Sequence, residues 1–436
     1  MDTLPLPPKP NLNYYKKRAK ALVAAARSDQ DTAVERWARD WIESLVANLA
    51  VPTTAFVHAS INRAVTHIDE RVRKTRSAFT LADAQLLIAD AHGFQNWAAF
   101  SQHLDRLSGM EIDGDPFELA ADAIVTGDLD MLDQLLRRHP GLIRAHSHRV
   151  HHATLLHYVA ANGVEDFRQK TPANALAIAR RLLEAGAAVD ARANTYSGGP
   201  WETTMNLLVS STHPAGAGVQ AALVDVLLDF GAAVNGVADD ASPMLTALDF
   251  GYLDAAETLA RRGARIDNVV VAAALGRLDL VQQFVIDKDT LAPGVPLILP
   301  AWAKLTSDRR LAATHIGFAL VWSCKFGRSA VAMWLLEMGV SVEVQDGYKM
   351  TPLHWAAPNG MTDVMHDLLR RGAPLEVENT WRGTVLDSTI HFATSLPVEG
   401  VDYAAVCETL LQAGANVRSI DYPTGVAAID AVLARF

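Results

Sequence analysis

Residues 351–379, TPLHWAAPNGMTDVMHDLLRRGAPLEVEN, have a close copy at residues 318–346, FALVWSCKFGRSAVAMWLLEMGVSVEVQD. The two stretches begin 33 residues apart, at positions 318 and 351. This offset places tryptophan on tryptophan, glycine on glycine and paired leucines on paired leucines. Self-similarity at a fixed period of this length is the signature of a repeat array. The sequence therefore predicts a stack of similar supersecondary elements.

Each part of the repeat has a physical role. Thr351 and Pro352 suit the N-cap and the first position of a short inner helix, and Gly360 suits the left-handed residue that ends it. The paired leucines that follow lie on the apolar face of an outer helix, which Gly372 closes. One repeat is thus predicted to be a helix, a turn, a second helix and an extended loop.

This pattern resembles the ankyrin repeat, with its TPLH, AAxxG and LLxxGA segments matched within residues 351–373. Weaker copies run through residues 116–436, and we count eight repeats in all. The last stretch, TGVAAIDAVLARF, is predicted to be a terminal capping helix. The resemblance implies an all-α fold, an ankyrin-repeat solenoid over residues 111–436, in which helix-turn-helix repeats are joined by extended loops or hairpins.

Residues 1–110 do not share the repeat. Their pattern predicts helices near 13–27, 31–49, 54–74, 80–92 and 95–107, with Thr80 and Asp83 as a capping pair. We interpret this region as a helical cap over the exposed apolar end of the stack. Its segment LADAQLLIADAHGFQNW is similar to one that precedes the repeats in a group of bacterial ankyrin proteins, which implies a bacterial origin.

Composition and charge narrow the classes of partner. The chain has 39 basic and 49 acidic residues and a net charge of −10, which repels phosphate backbones and anionic lipid. Neither nucleic acid nor membrane is an expected partner, and we expect neither an export signal nor a membrane span. The two cysteines, Cys324 and Cys407, fit no disulfide framework and no CxxC motif, which favours a cytoplasmic location.

Three repeats carry insertions between their inner and outer helices. The glycine precedes the paired leucines by 8 residues in the standard repeat, at 360 and 368, but by 19 in the second repeat, at 163 and 182. The third and eighth repeats are also lengthened, around STHPAGAGVQ and SLPVEGVDYA. Because the second and third repeats are neighbours, their enlarged turns are expected on one edge of the stack. They would gather Glu165, Arg168, Gln169, Lys170, His213 and Gln220, and the segment that joins the two repeats adds Tyr196.

Several interpretations of this polar set are open. Inserted turns need polar side chains to satisfy their own backbone and one another, which gives a structural role. The set could instead form an enzyme active site or a small-molecule pocket, with Glu165 or His213 as acid or base and Arg168 or Lys170 holding an anionic group. A contact with a protein partner is the third interpretation. The remaining hypothetical ligand-binding residues are Gln169, Gln220 and Tyr196.

The tract ATLLHYVAANGVEDFRQKTP, followed by YSGG and SSTHPAGAGVQ, is similar to a bacterial subgroup of ankyrin-repeat proteins with the same interrupted pair of repeats. No known catalytic motif accompanies it, so we assign no catalytic residue and leave open whether the chain is an enzyme. Histidines are concentrated nearby, in His146, His148, His151 and His152. This run lies in a connecting loop without cysteine or acidic ligands, so we predict neither a metal nor a cofactor.

The resemblance also indicates where a partner would bind. In ankyrin proteins the two residues before the inner-helix glycine lie on the concave face, and exposed phenylalanines there suit binding anchors. It further implies a structural hydrogen bond for His157 and His354, which occupy the TPLH position. Our first hypothesis is an interaction scaffold that binds an unidentified protein along the concave face and the helix turns. The residues predicted to contact the partner are Asn162, Phe250, Lys325, Phe326 and Asn359.

Overall fold

The computed structural model describes residues 3–7, 10–47, 55–108, 115–195, 201–300, 308–417 and 422–436. These residues are mostly helical, and their strands form two short hairpins. The chain separates into two compact units, residues 1–233 and 234–436. The first contains the N-terminal helices and repeats one to three, and the second contains repeats four to eight. The predicted all-α repeat fold is confirmed.

The predicted N-terminal helices form a core of their own. Thr80 and Asp83 make the predicted capping box at the start of the fourth helix. Trp41, His92 and Phe100 are fully buried, with edge-on and stacked contacts between their rings that fill this core. The helices are α1 Leu12–Ala26, α2 Ala33–Val46, α3 Ala55–Thr75, α4 Leu81–Ala91 and α5 Trp97–Ser108.

The first three repeats each have an inner and an outer helix. The insertion of the third repeat adds a short helix, and an antiparallel hairpin precedes that repeat. The elements are α6 Pro116–Thr126, α7 Leu129–Arg138, a 3₁₀ helix Leu155–Ala160, α8 Ala175–Glu184, β1 Arg192–Asn194, β2 Trp201–Thr203, α9 Thr204–Leu208, α10 Thr212–Gly216 and α11 Gln220–Asp229. The 3₁₀ helix, the inner helix of the second repeat, packs between α6 and α9.

The second compact unit continues the same pattern. Its inner helices pack against one another in chain order, and its last helix, predicted to be a terminal cap, packs against the outer helix of the eighth repeat. The elements are α12 Ser242–Asp249, α13 Leu253–Arg261, α14 Val269–Ala274, α15 Leu278–Phe284, β3 Val285–Asp287, β4 Thr290–Leu291, α16 Ala312–Lys325, α17 Ser329–Glu337, α18 Pro352–Ala356, α19 Thr362–Arg370, α20 Val385–Ser395, α21 Tyr403–Gln412 and α22 Ala427–Leu433.

In two of the inner helices, a threonine and a histidine start the helix as a pair. The Nδ1 atom of His354 accepts a hydrogen bond from the backbone N–H of Thr351 at 3.2 Å, and the Thr351 hydroxyl caps the helix in return. Thr154 and His157 are related in the same way, with a distance of 3.1 Å. Both histidines therefore make the structural hydrogen bond that the resemblance implied.

The insertion of the eighth repeat changes an inner helix as well as a turn. Helix α20 runs to Ser395, whereas the equivalent α18 ends at Ala356 after one and a half turns. The added chain then forms an exposed turn before α21. The insertion thus lies between the inner and outer helices, as predicted.

The N-terminal helices contact the second repeat within the first compact unit. The backbone N–H of Val150 donates to the carbonyl of Gly93 at 2.6 Å, and the Arg149 guanidinium donates to the carbonyl of Leu4 at 3.2 Å. The predicted boundary between cap and array, at residues 110 and 111, lies outside the described residues. Among the helices that the structure describes, none combines the length and the apolar character needed to cross a membrane.

Candidate binding surface

The inserted turn of the second repeat folds inward. Glu165 and Arg168 are both buried, and their side chains meet at 2.8 Å. Glu165 also lies 3.1 Å from Arg149, and Arg168 lies 2.7 Å from Glu118 in helix α6. We call these four side chains the buried ion cluster. It fastens the enlarged turn of the second repeat to the first repeat.

The charges of the buried ion cluster stabilise one another. Burial alone would raise the pKa of Glu165, but the guanidinium groups of Arg149 and Arg168 hold this pKa well below its usual value. The same opposition between burial and two cations lowers the pKa of Glu118 to about 2. A carboxylate held ionised by two cations is poorly suited to exchange protons near neutral pH. The geometry therefore gives Glu165 and Arg168 a structural role.

Among the described residues, the rest of the polar set does not join Glu165 in an open cleft. The side-chain amide of Gln220 is buried and donates to the carbonyls of Leu208 and Ser211 at 2.9 and 3.2 Å. Gln169 donates to Asp166 at 3.1 Å. Among the other predicted residues, Lys170 is exposed, His213 is half-buried in α10, and Tyr196 lies outside the described residues.

Two of the predicted concave-face residues bridge neighbouring inner helices. The Asn162 amide donates to the Ser210 hydroxyl at 2.8 Å and to the Leu207 carbonyl at 3.2 Å. The Asn359 amide donates to the carbonyls of Cys324 and Lys325 at 3.0 and 3.1 Å. The side-chain amides of both asparagines thus bond to the neighbouring inner helix and hold adjacent repeats together.

Lys325 ends helix α16 at the centre of a group of aromatic side chains. Its ammonium also donates to the backbone carbonyls of Leu248 and Asp249 at 3.1 and 2.6 Å. These carbonyls are at the C-terminal end of α12, where the helix dipole favours a positive charge. The Nζ atom lies between 5.3 and 5.6 Å from three ring centroids, those of Trp322, Phe326 and Trp355.

Two buried carboxylates surround this ammonium group. The hydroxyl of Tyr348 donates to the carboxylate of Asp249 at 3.2 Å, and the indole N–H of Trp355 donates to that of Asp346 at 2.9 Å. Burial lowers the pKa of Lys325, and the two carboxylates oppose that shift. Burial also raises the pKa of Asp346, against the hydrogen bond from Trp355 and the charge of Lys325. The polar groups therefore fix the rings of Tyr348 and Trp355.

The loops before α18 and α20 have the same turn and bring two aromatic rings together. Asp346 accepts from the backbone N–H of Tyr348 at 2.9 Å, and Asn379, which is 33 residues later, accepts from that of Trp381 at 2.8 Å. The backbone of Thr380 donates to the carbonyl of Tyr348 at 2.9 Å. The two rings stack with centroids 5.5 Å apart, and Trp381 remains 69% exposed.

Further aromatic side chains extend this region within the second compact unit. Trp355 makes an edge-on contact with Phe392 in α20, with centroids 6.0 Å apart. Phe250 follows Asp249 at the end of α12 and is 46% exposed. Among the predicted partner contacts, Phe326 is therefore part of this region, Lys325 supports it, and we include Phe250 because it is exposed and follows Asp249 in the chain. We call it the aromatic surface, formed by Phe250, Phe326, Tyr348, Trp355, Trp381 and Phe392.

The histidine run does not converge. His146 bonds the carbonyl of His152 at 2.7 Å, His148 bonds Arg106 at 3.1 Å, and His151 bonds Glu165 at 3.1 Å. In the described parts of the chain, no group of three or more histidine, cysteine or acidic side chains is placed to hold a metal ion.

Comparison with known proteins connects this region to one family. A family model for ankyrin repeats, in three copies, matches residues 269–379. These residues contain repeats five to seven and include Lys325, Tyr348 and Trp355 of the site.

Individual relatives match over shorter stretches. The chain is 43% identical over 60 residues to protein fem-1 homolog A of Danio rerio, and 39% identical over 64 residues to protein fem-1 homolog C of Xenopus laevis. These stretches cover 14% and 15% of this chain, and the chain spans only 10% of the length of each of these curated relatives. The crystal structure of the human ASB11 ankyrin repeat domain is similar at 22% identity and a TM-score of 0.27, covering 61% of this chain and 99% of that chain.

Proposed function

We propose that this chain, an ankyrin-repeat protein, is an interaction module that binds a protein partner through the aromatic surface of its second compact unit. Ankyrin repeats are in general protein-protein interaction modules, and each repeat adds to an extended binding surface. The stretch that matches the family model includes three of the six residues of the aromatic surface, Phe326, Tyr348 and Trp355.

The exposed indole of Trp381 carries this proposal. The ring is 69% exposed even though Tyr348 holds it by stacking from one side. Burying an aromatic side chain of this size is favourable, and tryptophan is enriched among the residues that dominate binding energy. A ring that is already held in place loses little conformational freedom when a partner covers it. Trp381 therefore has the properties of a binding anchor.

The groups beneath the ring support the same proposal. Lys325 and Asp249 tie the end of α16 to the end of α12, and the hydroxyl of Tyr348 is bonded to Asp249. These contacts keep the aromatic surface in one arrangement before any partner arrives. Phe250 provides a second exposed ring beside Asp249. Preorganised aromatic anchors of this kind suit a protein partner better than a flat polar surface would.

The alternative proposal is a catalytic or small-molecule pocket in the enlarged turns of the second and third repeats. It would need Glu165 or His213 as a proton donor or acceptor and Arg168 or Lys170 as an anion-binding group. The ion pairs of Glu165 and Arg168 with Arg149 and Glu118 weigh against it, because these groups already neutralise each other. The aromatic surface is the better supported site.

We place the protein in the reducing environment of the cytoplasm as part of this proposal. Cys324 and Cys407 are both buried and free of disulfides. Burial raises the pKa of each thiol to about 12, so both stay protonated and unreactive. Buried thiols of this kind suit a compartment in which disulfides do not form.

Site-specific photocross-linking in living cells tests the proposal. Trp381 is replaced by p-benzoylphenylalanine in the full chain, and the matched control carries the same replacement at Trp201. Trp201 is a suitable control because it is 51% exposed and also stacks on a neighbour, His152, but belongs to the first compact unit.

We expect irradiation to link position 381, but not position 201, to one defined polypeptide. A replacement at Phe250 should give the same adduct, because this residue belongs to the same surface. Adducts of identical composition at positions 381 and 201, or no protein adduct at position 381, would overturn the proposal.

A further inference from the structure

The inserted turn of the eighth repeat forms one wall of a groove against the seventh repeat. The groove has a volume of about 410 Å³. Its seventh-repeat wall is the turn at Asn359 and Gly360 together with the outer helix α19, and its other wall is the turn that precedes α21 together with α21 itself. Asn359 also bonds the carbonyl of Lys325, so the groove adjoins the groups that support the aromatic surface.

The inserted turn is held firmly in this position. The hydroxyl of Tyr403 accepts from the backbone N–H of Val398 at 2.9 Å and donates to the carbonyl of Pro358 at 3.0 Å. Val401 packs directly against Gly360, where any added Cβ atom would come within 2.9 Å of the valine side chain. Gly360 also has a φ of +63°, so both its conformation and its neighbour require glycine. The groove is therefore preformed.

The lining of the groove combines an apolar base with acidic groups. Val398, which is 37% exposed, and the half-buried Val401 supply accessible apolar surface, and the buried Met365 and Val406 also line the groove. Glu399 and Asp402 are exposed and also line the groove, and Asp402 uses one carboxylate oxygen to cap helix α21 through the N–H of Ala405. The described residues that line the groove include no basic side chain.

We propose that this groove receives the side chain of one arginine of the protein partner. The inference rests on the proposed function and adds to it the chemistry of one contact. The long aliphatic part of an arginine side chain packs on apolar surface while its charged end stays near water. A guanidinium has several N–H donors in one plane and can bond two carboxylates, here those of Glu399 and Asp402. The net charge of −10 also favours a partner that is basic at its contact region.

Methyl NMR on the full chain tests this contact without the partner. The sample carries labelled methionine and valine methyl groups, and the methyl signal of Met365 reports on the groove. The probe is the blocked peptide Ala-Ala-Arg-Ala-Ala, compared with the same peptide carrying lysine, or citrulline, which has the shape of arginine but no charge. We expect a saturable shift of the Met365 signal with the arginine peptide, a weaker effect with lysine and none with citrulline.

Variants of the two carboxylates make the test specific. We expect Glu399→Gln combined with Asp402→Asn to weaken binding of the arginine peptide about tenfold, since each lost charge removes a charge-assisted contact. Asparagine retains the helix cap, so the fold is preserved. Glu343→Gln, which removes an exposed carboxylate outside the groove, should leave the affinity unchanged.

Three outcomes would overturn the proposal: equal binding of the citrulline or lysine peptide, no saturable shift of Met365 with the arginine peptide, or equal affinity in the double variant. None of them would bear on photocross-linking at Trp381. Failure of the arginine contact is thus distinguishable from failure of the proposed function.

Discussion

The indole ring of Trp381 stacks on the phenol ring of Tyr348, with centroids 5.5 Å apart and planes 16° from parallel. Tyr348 is anchored in turn, because its hydroxyl donates to Asp249 at the end of α12. The stack therefore joins two neighbouring loops to the C-terminal end of the inner helix α12. One ring is anchored, and the other is available to a partner.

Truncating Trp381 should have little effect on stability. Because the ring is 69% exposed, we expect Trp381→Ala to lower the free energy of unfolding by no more than about 1 kcal/mol. Trp322 is fully buried, and Trp322→Ala should cost about 3–5 kcal/mol. Urea unfolding of both variants measures the difference. Equal losses would show that Trp381 is a core residue in solution.

Replacing Lys325 should destabilise the second compact unit. Lys325→Met keeps the packing of the stem but removes the ammonium that donates to the carbonyls of Leu248 and Asp249, which we expect to cost about 1–3 kcal/mol. The control is Lys349→Met, which changes an exposed lysine beside Tyr348 and should be neutral. Thermal unfolding followed by tryptophan fluorescence provides the measurement. A Lys325→Met variant as stable as the control would contradict the bridging role.

Removing the charge of Glu165 should lower the free energy of unfolding more than replacing Lys325 does. Glu165→Gln leaves Arg149 and Arg168 buried with one carboxylate fewer between them, and we expect a loss of about 3–5 kcal/mol in the free energy of unfolding. Lys170→Ala, in the same inserted turn but exposed, should change stability by less than about 0.5 kcal/mol. If chemical denaturation gave wild-type stability for Glu165→Gln, the buried ion cluster would not hold the turn.

Acid should weaken the fold through His354. Burial lowers the pKa of this residue from 6.5 to about 4, so above pH 6.5 the ring is neutral in both the folded and the unfolded chain. As the pH falls from 6.5 toward 4, the unfolded chain binds a proton that the folded chain does not. Stability is then lost by an amount on the order of 3 kcal/mol.

The variant His354→Gln separates the contribution of His354 to the acid-dependent loss of stability from the contributions of the other ionisable groups. Glutamine can accept the hydrogen bond from the Thr351 backbone, as in the usual capping box, but does not titrate. Denaturant unfolding at several pH values should show a smaller loss between pH 6.5 and 4 in the variant. Parallel pH profiles for variant and wild type would rule out His354 as a source of the acid sensitivity.

Much of the fold could be predicted from the sequence because local signals agree with one another. Thr351 and Pro352 mark the start of an inner helix, Gly360 closes the turn after it in the left-handed conformation, and Gly327 has the same conformation 33 residues earlier. The match of residues 269–379 to ankyrin repeats confirms the resemblance on which the fold prediction depended. Thr80 and Asp83 likewise identified the start of α4 from the spacing of the pair.

The burial and the ion-pair partners of the polar residues in the inserted turn could not be predicted from the sequence. Glu165 and Arg168 are adequate candidates for an open pocket when only their residue types are known. They pair with each other, but their further partners, Glu118 and Arg149, come from other segments, and no local spacing rule relates these positions to the inserted turn. Whether a charged side chain points inward depends on the packing of whole repeats, which the sequence does not state directly.

The aromatic surface was predicted only in part. Phe250 and Phe326 follow from the position before the inner-helix glycine, but Trp381 lies in a loop, outside any helical pattern. A signal was nevertheless present, because Tyr348 and Trp381 are separated by the repeat offset and follow Asp346 and Asn379 at equal spacing. An aromatic residue at equivalent loop positions of neighbouring repeats predicts a stacked pair.

The most direct test of the central claim is the affinity of the partner captured at position 381 for three forms of the chain. Isothermal titration calorimetry would compare wild type, Trp381→Ala and Trp201→Ala, each of the two variants having lost one exposed, stacked tryptophan. Our account predicts a Kd at least about tenfold higher for Trp381→Ala and an unchanged Kd for Trp201→Ala. An unchanged Kd for Trp381→Ala, or equal losses in both variants, would contradict it.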